Sequence, residues 1–123
     1  MKKIILVSLI SFITVGVNAQ LANTKWKGTL NLDSPTDAIF SFSGDTLDVL
    51  NAIDNSSMET MRFTIKDSVL TLQKLFGHSQ CDTSTIGSYK FNVTGDDMTL
   101  KLMSDACDDR AEVIGDIKLN KET

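Results

Sequence analysis

Seven clusters of turn-forming residues divide the chain into eight short runs in which apolar and polar residues alternate, and this two-residue beat restricts its fold more than any other feature. A period of two puts the apolar side chains of an extended strand on one face and the polar ones on the other. Trp26, Gly28 and Leu30 alternate with Lys25, Lys27 and Thr29; Tyr89, Phe91 and Val93 with Lys90, Asn92 and Thr94; Met98, Leu100 and Leu102 with Thr99 and Lys101. The pattern predicts strands over residues 24–32, 38–43, 46–53, 60–66, 69–76, 87–94, 98–104 and 111–119. One-sided strands in unbroken succession need a shared dry interior, and a sheet closed on itself supplies one while removing its edges. The expected fold is all-β: an eight-stranded antiparallel up-and-down barrel whose axis either holds one small ligand or is filled by side chains.

The first residues stand apart from this pattern. Lys2 and Lys3 form a basic start, residues 4–15 are an apolar stretch, and Val17-Asn18-Ala19 has the small-residue form of a cleavage site. The expectation is a signal peptide over residues 1–19, with the barrel domain over residues 20–123. The apolar stretch is short for a membrane span and ends in no basic stop, so no stable membrane anchor is expected. The protein is expected to be exported, either periplasmic or secreted. Without the leader the 123 residues become 104, and loss of Lys2 and Lys3 takes the net charge from −4 to −6, which argues against nucleic acid as a partner.

Consecutive antiparallel strands reverse at alternate ends of a barrel, which sorts the connections into two sets. The second, fourth and sixth are tight turns at Gly44-Asp45, Asp67-Ser68 and Gly95-Asp96-Asp97. The first, third, fifth and seventh are longer, over residues 33–37, 54–59, 77–86 and 105–110, so that end is the candidate mouth. The two cysteines, Cys81 in the fifth connection and Cys107 in the seventh, fall at that same end. An exported chain with an even cysteine count is expected to join them, and closing such a loop stabilises by roughly 3 kcal/mol in the chain-entropy model.

Alternation then assigns interiors. Trp26, Phe42, Ile65, Val93, Met98 and Ile117 are expected to plug the trimmed end, and Leu30, Phe40, Phe63, Tyr89 and Leu102 to point inward near the elaborated one. The second set either lines a ligand cavity or meets across the axis. Arg110, among Asp105, Asp108 and Asp109, has two readings: a local ion pair that orders the loop beside Cys107, or, with the Tyr89 hydroxyl, an anchor for the carboxylate of a fatty-acid-like ligand. The acidic turns lack the loop spacing of an EF-hand, and the single histidine, His78, beside paired cysteines supplies too few ligands, so no metal or other cofactor is expected. Nucleophile and base cannot be assembled from recognisable parts, and no enzymatic activity is expected.

The ordered set Cys81, Gly87-Ser88-Tyr89-Lys90-Phe91, Gly95-Asp96-Asp97-Met98-Thr99-Leu100 and Asp105-Ala106-Cys107-Asp108-Asp109-Arg110 resembles the compact bacterial lipocalin-like domains of the calycin type. The resemblance runs over most of the chain after the leader. It implies an up-and-down barrel that binds or sequesters a small hydrophobic molecule; the alternative is a solid-core interaction module, such as an inhibitor or envelope-assembly factor, with no small-molecule ligand. In larger lipocalins an arginine stacks on the first-strand tryptophan, but loop parity here puts Trp26 and Arg110 at opposite ends.

Overall fold

The computed structural model describes residues 21–122; the leader expected over residues 1–19 lies outside the described residues. The chain runs as β1 (Thr24–Leu30), β2 (Thr36–Ser43), β3 (Thr46–Asn51), β4 (Ser57–Lys66), β5 (Val69–Gly77), β6 (Ile86–Thr94), β7 (Asp97–Asp105), α1 (Asp108–Ile114) and β8 (Asp116–Lys121). Each strand pairs antiparallel with the next, and β8 returns to β1, so the expected all-β, eight-stranded up-and-down barrel is closed. The closing seam is short, with Trp26 opposite Lys121 and Lys27 opposite Asn120. Gly28 lets the two strands meet there: a Cβ on it would lie 2.9 Å from the Lys118 carbonyl oxygen and overlap the Leu119 side chain.

The trimmed end is made by two-residue reversals at Gly44-Asp45, Asp67-Ser68 and Gly95-Asp96. Asp67 and Ser68 both have positive φ, 53° and 65°, the backbone of a type I′ turn whose twist matches that of the flanking strands. Trp26, Phe42, Ile65, Met98 and Ile117 are buried as alternation requires, while Val93 is only partly buried. Phe42 meets Phe63 edge to face with ring centroids 5.0 Å apart. Leu21, which precedes the first predicted strand, is also buried; its carbonyl accepts hydrogen bonds from the backbone and hydroxyl of Thr24, and that hydroxyl also accepts from the Trp26 indole N–H.

Two expectations at the other end are corrected. Residues 111–114, predicted as the start of the last strand, are helical, and the seventh connection carries α1. Asp108 and Asp109 lie in its first turn, where the helix dipole favours negative charge, and Arg110, Val113 and Ile114, at i, i+3 and i+4, form one inward stripe. Leu102, expected inside, is 46% exposed. The β7–β8 ladder ends at Lys101 opposite Asp116, so Leu102 pairs with β6 but has no partner on β8; its N–H donates instead to the Gly115 carbonyl at 2.6 Å. A β-bulge follows, in which Tyr89 faces Leu102 but Ser88 faces Ser104. The extra residue, Met103, changes the inward phase of β7, and Asp105 thereby enters the interior opposite Gly87.

Candidate functional site

The bulge at Met103 delivers a carboxylate into the barrel, and the site is built around it. The Asp105 side chain is fully enclosed, and that of Arg110 is 4% exposed. Arg110 Nε donates to Asp105 Oδ2 at 2.6 Å and Nη2 to Oδ1 at 2.9 Å, a two-pronged pair that uses the planar fork of the guanidinium. The Tyr89 hydroxyl donates to Oδ2 at 2.5 Å, and the Cys107 backbone N–H donates to Oδ1 at 2.9 Å. Arg110 Nη2 also donates to the Thr85 carbonyl at 3.0 Å, which ties α1 to the fifth connection. The Cys81–Cys107 disulfide makes the same link covalently, across 26 residues of sequence.

Burial by itself would raise the Asp105 carboxyl, but hydrogen bonds from Arg110, Tyr89 and the Cys107 amide, together with the guanidinium charge, hold it below the ordinary carboxylate value. Burial and then the Asp105 carboxylate push the Tyr89 phenol far up. Burial would lower Arg110, and its bond to Asp105 more than reverses that. At neutral pH the cluster is therefore an ionised carboxylate, a charged guanidinium and a neutral phenol. The local ion pair foreseen for Arg110 is formed; Tyr89 spends its proton on the chain's own carboxylate and has none to offer a ligand.

Above this cluster lies a cavity of about 360 Å³. Leu30 and Leu32 reach it beside the first connection, Val49, Met58, Glu59 and Met61 beside the third, His78 and Ser79 from the fifth, and Asp109, Arg110, Val113 and Ile114 from α1. All these positions belong to the elaborated end. Of the residues expected at the mouth, Leu30 and Arg110 line the cavity, Phe40, Phe63 and Tyr89 are wholly buried in the packed core and absent from its lining, and Leu102 lies outside. Among the described residues the barrel is thus filled around Phe40, Phe63 and Tyr89 and open near the longer loops.

Several polar groups around the cavity are engaged by the chain itself. Glu59 accepts hydrogen bonds from the backbone and hydroxyl of Ser79, and Asp109 accepts from the Gln80 N–H at 3.2 Å. Lys74, inward after Leu70 and Leu72 on β5 and only 8% exposed, donates to the Ser79 carbonyl at 2.7 Å. Among the described residues, the buried side-chain nitrogen or oxygen with no partner is Arg110 Nη1. A guanidinium has five N–H donors; three are spent on Asp105 and Thr85, and both protons of Nη1 remain.

Sequence reasoning missed Lys74, Glu59 and Ser79. Lys74 carried a usable signal, a charged residue at an inward position of an alternating strand, whereas Glu59 lies next to a bulge that alternation does not register. The large exposed apolar residues Leu32, Ile53, Phe76, Ile86, Leu102 and Met103 all stand at this same end, Leu32 on the cavity lining and the others as a collar outside it. No family model, curated protein or solved structure matches the chain.

Proposed function

We propose that the protein is an exported, non-enzymatic, lipocalin-like carrier or scavenger that takes one small hydrophobic molecule into the cavity at the elaborated end of its barrel. The observation that carries this reading is the pairing of an apolar-walled cavity of about 360 Å³ with a single unused buried donor, Arg110 Nη1. Binding sites for small molecules are largely apolar, with a few placed polar groups that fix orientation, and their volumes run from about 300 to 1,000 Å³. Burial of ligand surface supplies affinity; the donor selects pose. The resemblance of the Gly87, Tyr89, Asp105, Cys107 and Arg110 pattern to compact lipocalin-like domains supports the same reading.

Native mass spectrometry of protein purified from its own source tests it: a stoichiometric co-purifying small molecule is expected. Val113→Trp, which places an indole in the cavity from the partly buried face of α1, is expected to abolish that adduct while leaving a folded barrel. A wild-type protein that carries nothing and takes up no apolar probe would overturn the reading.

The apolar collar favours a second reading, an interaction module. Phe76, Ile86, Leu102 and Met103 are exposed on neighbouring strands β5, β6 and β7, and apolar side chains grouped in this way mark contact surfaces. Under this reading Met103→Lys weakens partner capture and leaves small-molecule uptake intact.

A further inference from the structure

If the cavity is a ligand site as proposed, its charge decides the ligand's polar end. We infer that the site selects an uncharged head bearing an acceptor oxygen, such as an alcohol, aldehyde, ester or amide, over the carboxylate of a free fatty acid.

Arg110 is the lining residue with a permanent positive charge. An arginine in an apolar cavity invites a carboxylate, but this guanidinium already holds one: Asp105 takes it through two prongs with its own side chain fully enclosed. The pair is neutral. An incoming carboxylate would meet no net positive charge at Nη1, and it would also lose its hydration on entering an apolar wall.

The surroundings deepen that penalty. Two further carboxylates, Glu59 and Asp109, line the same cavity, facing it from β4 and α1. The nearby cation, Lys74, is not among the lining residues and spends its ammonium on the Ser79 carbonyl. His78 and Ser79 are the remaining polar lining residues, and Ser79 Oγ donates to Glu59. A free fatty acid would thus add a negative charge to a wall that already carries two against one guanidinium neutralised from behind.

What Arg110 lacks is an acceptor for Nη1. Nη1 has two protons and no oxygen to receive them, and leaving a buried charged donor unsatisfied costs more than leaving a neutral one. A hydroxyl or carbonyl oxygen at the end of an apolar chain answers this need without importing charge. The apolar remainder then lies along Leu30, Val49, Met61 and Ile114.

The test compares three probes of one chain length, 1-decanol, decanoate and decane, titrated into the wild-type protein at pH 7.5 with native mass spectrometry or calorimetry as readout. Decanol is expected to bind about ten-fold more tightly than either of the others, the size of effect that one hydrogen bond to a buried charged donor produces. Asp109→Asn, which removes one wall charge, is expected to narrow the decanol-to-decanoate ratio by about three-fold. Decanoate binding as tightly as decanol would overturn the selection and leave the ligand cavity standing. Decane equal to decanol would also overturn it, showing that Nη1 keeps a water rather than a ligand oxygen. Failure of all three to bind would remove the carrier reading and this inference with it.

Discussion

The carboxylate of Asp105 occupies the space that a side chain on Gly87 would need. The two residues face each other across the β6–β7 ladder, and a Cβ on Gly87 would stand 2.6 Å from Asp105 Cγ and 3.0 Å from Tyr89 Cε1. The spacing Gly87-Ser88-Tyr89 thus has a physical meaning: the glycine opens a slot, the tyrosine two residues on faces the same way, and the carboxylate fills the slot to accept the tyrosine hydroxyl. Asp105 at the end of β7, Cys107 just before α1 and Arg110 in α1 complete the unit, with the Cys107 amide and the Arg110 fork closing on the two carboxylate oxygens. Residues that look like separate fragments of pattern are one buried cluster.

Gly87→Ala is therefore expected to be among the most damaging single-atom changes in the barrel. The added methyl must displace a carboxylate held by four hydrogen bonds, and disruption of such a buried network costs about 2 to 4 kcal/mol. Urea unfolding followed by the fluorescence of Trp26, the single tryptophan, measures it. A loss below about 0.5 kcal/mol, the range of ordinary surface substitutions, would mean that the slot is not tightly filled.

Tyr89 is the single tyrosine, so phenolate absorbance near 295 nm reports on this site alone. Its folded pKa is raised, first by burial and then by Asp105, above the ordinary phenol value of 10.0 that an unfolded chain retains. The folded state therefore binds the phenolic proton more tightly than the unfolded state. Its contribution to stability is complete below pH 10 and is lost as pH rises beyond it. The phenolate band is expected to appear together with the loss of native Trp26 fluorescence, and Tyr89→Phe is expected to soften the alkaline fall in stability. A band that titrates near pH 10 in protein with native fluorescence would contradict the buried hydrogen bond.

How far the sequence revealed this arrangement depended on the range of the forces involved. Strand alternation and turn chemistry are local, so the barrel, its two unequal ends and the Cys81–Cys107 pair were legible. Leu102 was not, because its exposure follows from a ladder that stops at Lys101 and from one extra residue at Met103, and neither leaves a mark in composition. The helix was partly legible: Arg110, Val113 and Ile114 have helical spacing, but seven residues are too few for that period to outweigh a run that can also be read as alternating. Of the two arrangements open to the inward residues, lining a cavity or meeting in a packed interior, the second holds for three of them. Phe40, Phe63 and Tyr89 are large enough to fill the barrel where they stand, so the open volume lies beyond them, under α1.

Asp105 sets the acid limit as Tyr89 sets the alkaline one. Its folded pKa is depressed below the ordinary aspartate value of 3.8, so the folded state releases this proton more readily than the unfolded state. The contribution is fully present above about pH 4 and is lost as pH falls through the lowered value. Asp105→Asn is expected to flatten this acid limb. Asp105→Ala is expected to cost about 3 to 5 kcal/mol at neutral pH, because it strands a buried guanidinium. Thermal melts of the three proteins between pH 3 and 7 measure both effects. An unchanged pH dependence in the asparagine variant would show that other carboxylates govern acid unfolding.

The disulfide and the Arg110 fork join the same two segments, the fifth connection and the start of α1, one through Cys81 and Cys107 and the other through the Thr85 carbonyl. Replacing both cysteines by serine is expected to lower stability by about 3 kcal/mol through the entropy regained by the unfolded chain. The loss should be concentrated at one end. Hydrogen exchange is expected to quicken in residues 78–85 and in α1, while β1 to β4 near the trimmed end stay protected, since Phe42, Phe63, Trp26 and Leu21 pack there independently of the bond. Because α1 forms one wall of the cavity, ligand uptake should weaken in parallel with that local loosening. Uniformly faster exchange over all eight strands would instead mean that the covalent link supports the whole barrel, and that the hollow end has no looseness of its own.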